Sequence, residues 1–165
     1  MSKEENSSDI LWDEAHEGLK MAMQKEIGIM REVLANMHQE ELALLMSDKD
    51  GWNQVMQQRG SLIERLGILR LERQEAAKKI ENLLSSSKKL ESCEIFSLRD
   101  QLLAIVERMN RQNNRNEMLF NQLGSHLGYA SPIEFSNQMI PETAPKTFKR
   151  KTFLATYDDP RYPRN

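Results

Sequence analysis

All five prolines of this 165-residue chain lie at position 132 or later, and the first 128 residues contain none. Proline fixes φ and lacks an N–H, so a chain without it is free to run as long helices, and its return enforces extended backbone. The pattern predicts an all-α body over residues 1–128 and an extended, mostly mobile tail over 129–165. Such a body has long surfaces to offer a partner and little room for an enclosed catalytic pocket.

Apolar spacing supports the helices. From Ser7, Ser8 and Asp9, which suit an N-cap, the chain places Leu19, Met23, Ile27, Met30, Leu34, Met37, Glu41 and Leu44 at steps of three and four. A break at Ser47-Asp48-Lys49-Asp50-Gly51 either caps a second helix or mildly kinks a continuous one. Beyond it Trp52, Val55, Arg59, Leu62, Leu66, Leu69, Arg73, Ala76, Ile80 and Leu83 form a heptad seam, on a helix of roughly 55 Å. Arg59 and Arg73 fit that seam by packing their stems and extending their heads to water. Gly60 and Gly67 are either weak points or a line of close helix approach.

Ser85-Ser86-Ser87-Lys88-Lys89 reads as a reversing link. A third helix is expected from about Ser92 to His126, antiparallel to and packed on residues 48–84. Its seam is Ile95, Leu98, Leu102, Ile105, Met109, Gln112, Asn116, Leu119, Leu123 and His126. The fold expected is a long antiparallel helical hairpin or three-helix coiled-coil bundle.

Charge narrows the partners. The net charge of -2 disfavours nucleic acid, with 17 Lys+Arg against 21 Asp+Glu in residues 1–128 and 6 against 4 in 129–165. The polar start, the single cysteine Cys93 and the lack of a long apolar run lead to the expectation of a cytoplasmic chain without signal peptide, disulfide or stable membrane insertion. No nucleotide loop or hydrolase elbow is present. Asp13 and His16 have no matching pair for a metal, and Glu91 and Glu94 disfavour a thiolate at Cys93. No enzyme activity, metal or cofactor is expected.

Two features suit binding. Asn110, Gln112, Asn113, Asn114 and Asn116 crowd the centre of the third helix. They form either a buried polar layer that fixes register or a groove left for a partner helix. In the tail, Lys146, Lys149, Arg150 and Lys151 alternate with Phe148, Phe153 and Tyr157, as either a solvated arm or a contact for an acidic protein partner. Ten methionines add adaptable apolar surface.

Glu40-Glu41-Leu42-Ala43-Leu44-Leu45, then Asp48, Trp52-x-x-Val55, Leu62-Ile63-x-x-Leu66-x-x-Leu69 and Glu72-Arg73, resemble the FlgN family of flagellar and type III export chaperones. Asn113-x-x-Asn116-x-x-Leu119 stands where that family carries its later N-x-x-N-x-x-L step. The resemblance covers roughly residues 15–127. It implies a chaperone that binds the amphipathic helical end of a secreted axial or filament-junction subunit, prevents premature assembly and delivers the client to the export gate. Met109, Asn113, Asn116, Leu119, Phe120 and Leu123 would then face the client. Phe148, Lys149, Arg150, Phe153 and Tyr157 would make a second contact, with client or gate. The alternative is a structural coiled-coil protein that homodimerises or joins a permanent assembly, and a nucleic-acid adaptor is a third reading that the acidic body disfavours.

Overall fold

The computed structural model describes residues 3–84, 93–124 and 128, and these form an all-α helical bundle without a strand. Helix α1 spans Lys3–Leu45, α2 Lys49–Leu84 and α3 Cys93–Leu119, and α3 runs on into a π-helical turn, Phe120–Gly124. At 1.5 Å per residue α1 is about 65 Å long. It is already helical at Lys3, so Ser7, Ser8 and Asp9 lie inside it rather than capping it. The link 85–89, His126 and the tail 129–165 lie outside the described residues.

The first break is a tight reversal. Ser47 takes φ 56°, a left-handed conformation, and Asp48 N donates to the Ala43 carbonyl at 2.9 Å. The Asp48 carboxylate then accepts Gly51 N at 2.9 Å and caps α2. A Cβ on residue 51 would run into that carboxylate, so glycine suits the position. The chain turns back here, which rules out a kinked continuous helix.

α1 is the hub of the bundle. Its contacts with α2 run in opposite order along the two chains, from Asn36–Val55 through Glu32–Arg65 to Lys25–Glu72, so α2 is antiparallel to it. Contacts with α3 run in the same order, from Lys20–Glu94 to Glu41–Gln112, so α3 is parallel to it. The expected direct packing of 48–84 on 95–126 is corrected accordingly. α2 and α3 are antiparallel to each other, but each packs along α1 and their backbones hardly approach one another.

The reason lies in a second stripe on α1. Besides the seam through Leu19, Met23, Met30, Met37 and Leu44, it buries Ala22, Glu26, Ile29, Val33, Asn36, Glu40 and Ala43, again at steps of three and four. Each residue of the second stripe directly precedes one of the seam, so at about 100° per residue the two stripes lie about 100° apart, and one helix serves two neighbours. The main core joins them to Leu66 and Ile80 of α2 and to Ile95, Leu98, Leu102, Ile105, Val106 and Met109 of α3.

The seam arginines Arg59 and Arg73 turn inward to Glu40 and Glu26 rather than out to water, and Arg70, outside the seam, does the same. Arg70 and Arg73 both pair with Glu26, which is 0% exposed. Gly67 has open space where a Cβ would stand, so no close helix approach requires it.

Candidate functional site

The bundle end that holds the α1–α2 turn also holds the residues singled out on α3. A polar layer crosses it. Arg59 Nε donates to Asn36 Oδ1 at 2.9 Å and its Nη1 meets Glu40 Oε2 at 2.7 Å. From α3, Asn116 Nδ2 donates to the same Glu40 oxygen and to the Met37 carbonyl, both at 2.7 Å. Gln112 Nε2 donates to Asn116 Oδ1 at 2.8 Å and to Glu41, which also receives Arg115. Buried polar groups are tolerated when paired in this way, and such a layer fixes the register of three helices. The polar centre of α3 is therefore a satisfied layer at Gln112 and Asn116, not an open groove.

Beyond the layer lies a second, smaller apolar cluster of Ala43, Leu44, Trp52, Val55, Met56 and Phe120, with Leu119 packed at its edge. The Phe120 ring stacks on Trp52, centroids 5.9 Å apart at 27°. The π turn brings Gly124 under that ring, where a Cβ would come within 2.6 Å of Phe120 Cδ2.

This placement corrects half of the expected client-facing set. Met109 is 5% exposed in the main core, Asn116 2% in the polar layer and Phe120 8% against Trp52. Met109 and Asn116 point inward because α1 supplies the apolar surface and carboxylate that complete the α3 seam, and Phe120 because Trp52 of α2 stacks on it. Asn113, Leu119 and Leu123 are half-buried and remain at the surface. Phe148, Lys149, Arg150, Phe153 and Tyr157 lie outside the described residues.

Residues that the sequence reading passed over are exposed at the same end. Leu42 and Leu45 of α1, Met46 in the turn after it and Met118 of α3 are each more than half exposed. The available signal was an apolar run, Leu42 to Met46, too dense for one seam to bury. At the opposite end Lys20 Nζ meets Glu94 at 2.9 Å. The hydrogen bond to Glu94 and the charge of Glu17 raise the Lys20 ammonium above its ordinary pKa, and the bond to Lys20 holds the Glu94 carboxyl below its own.

Among the described residues no cluster of three or more His, Cys, Asp or Glu side chains is placed to hold a metal ion. None of the described helices is long and apolar enough to cross a membrane. Two shallow grooves, lined among others by Asn36, Gln58 and Leu62 and by Lys25, Ile29 and Ile68, run between α1 and α2. Comparison with protein-family models, curated proteins and solved structures gave no match.

Proposed function

We propose that this chain is a cytoplasmic export chaperone of the FlgN-like kind. It holds the amphipathic helical end of a secreted axial or filament-junction subunit, prevents premature assembly and presents the subunit to the export gate. One observation supports the reading above the others: of ten large apolar side chains exposed among the described residues, four gather at the turn end, Leu42, Leu45, Met46 and Met118, with half-buried Leu119 and Leu123 at the same end. A client helix laid across this end buries its apolar face, with no need of nucleotide, metal or cofactor. The docking surface in this reading is the exposed set together with Asn113, rather than the buried Met109, Asn116 and Phe120. The tail residues Phe148 to Tyr157 supply a second contact.

The test is a titration of the full chain with synthetic peptides spanning the terminal helices of flagellar junction subunits. Saturable binding is expected, lost in Leu42→Asp/Leu45→Asp while circular dichroism stays helical. If the chain binds no peptide and light scattering shows a stable oligomer that the same double substitution dissociates, the chain is a structural coiled-coil subunit instead.

A further inference from the structure

The interior of this bundle is divided, and the division falls across α3. From Ile95 to Met109 the inward residues of α3 are apolar and belong to the main core. After Met109 the helix buries Gln112 and Asn116, and then the single aromatic anchor Phe120 in a separate cluster. Everything else in that cluster apart from Leu119 comes from α1 and α2.

The polar layer between the clusters is built so that α3 can leave it. Arg59, Asn36 and Glu40 pair with one another within α1 and α2. Lifting Gln112 and Asn116 therefore leaves Glu40 paired with Arg59. Glu41 gives up Gln112 and Arg115, but the departure of α3 opens its carboxylate to water, which replaces those partners. Exchanging such bonds for water changes the free energy little, whereas lifting an apolar seam exposes surface that resists. The backbone is also irregular at the anchor, where the π turn Phe120–Gly124 interrupts the α pattern.

We infer that residues 112–124 act as a strap that opens from the α1–α2 turn as one unit while the main core stays closed. The opened strap bares the Trp52 face at the end that already exposes Leu42, Leu45 and Met46, so its position sets how much apolar surface this end presents. The inference goes beyond the chaperone reading and does not depend on it.

Native-state hydrogen exchange on the full chain tests it. A released segment of this length is marginal as a free helix, so its amides exchange when it opens. In the wild type, amides of 113–124 should exchange with a common protection, at least about tenfold lower than that of 98–109. Phe120→Ala should speed 113–124 alone by a further factor of about ten, and Phe120→Leu by less. In a Trp12→Phe background, which leaves Trp52 as the sole tryptophan, Phe120→Ala should also make Trp52 accessible to acrylamide. Equal protection of 98–109 and 113–124 in the wild type would overturn the strap. So would acceleration of both segments by one factor, or simple fraying that worsens toward residue 124 and ignores Phe120. The wild-type comparison stands even if Phe120→Ala does not fold.

Discussion

Glu26→Gln tests the packing of α2 on α1 most sharply. Glu26 is fully buried on the second α1 stripe and faces two guanidiniums, Arg70 and Arg73, whose side chains are 10% and 13% exposed. The substitution keeps the side chain's shape and hydrogen-bonding reach but removes a buried carboxylate charge that pairs with both guanidiniums. Leaving a buried charge uncompensated costs about 3–5 kcal/mol. The arginines keep some access to water, which puts this case near the lower limit, at about 3 kcal/mol. For a chain of this size that amounts to a fall in Tm of about 6–12 °C. Urea unfolding followed by circular dichroism reads the loss as a lower midpoint at unchanged m. Replacing the whole triad, with Glu26→Met, Arg70→Leu and Arg73→Met together, should recover most of it, because apolar packing avoids the desolvation of three ions. A loss below about 1 kcal/mol for Glu26→Gln, the range of an exposed ion pair, would refute the buried triad.

Three further outcomes are expected. Ser47→Gly should stabilise the chain by about 1 kcal/mol in the same assay, because a non-glycine residue strains at φ 56°. Asn116→Ala should cost about 2 kcal/mol by stripping the Met37 carbonyl and the buried Glu40 of a donor, while Asn114→Ala, on the exposed face, should be near neutral. Carbon-detected NMR titration should find the Glu94 carboxyl below its ordinary value and rising in Lys20→Met. Its folded pKa is lowered, so its contribution to stability is present above the unfolded value and fades as pH falls through the folded one; Lys20, raised, contributes until pH climbs past its folded value.

Helix existence was legible in the sequence because a seam with steps of three and four has one physical solution. Leu19, Met23, Ile27, Met30, Met37 and Leu44 are all buried as that spacing requires. Partner choice was not legible, because a seam says that a face is covered and not by which helix. The second α1 stripe is broken in the sequence by the polar Glu26, Asn36 and Glu40, whose burial depends on Arg59, Arg70 and Arg73 of α2. The expectation that Arg59 and Arg73 extend their heads to water fails because buried carboxylates on α1 stand opposite them. Of the α3 residues expected to face a client, Met109, Asn116 and Phe120 point inward, while Asn113, Leu119 and Leu123 stay at the surface; of the two readings of the polar centre, the buried layer holds. Gln112 and Asn116 look like an unfilled groove in a single helix, and become a satisfied layer once Met37, Glu40 and Glu41 stand opposite.

The central claim is that the turn end of the bundle receives a helix. Hydrogen exchange of the full chain, with and without a saturating terminal-helix peptide from a flagellar junction subunit, tests it most directly. Added protection is expected at residues 42–46 and 113–123, with 19–33 and 98–109 unchanged. Protection confined to the grooves between α1 and α2, or no change in exchange at any peptide concentration, would contradict it.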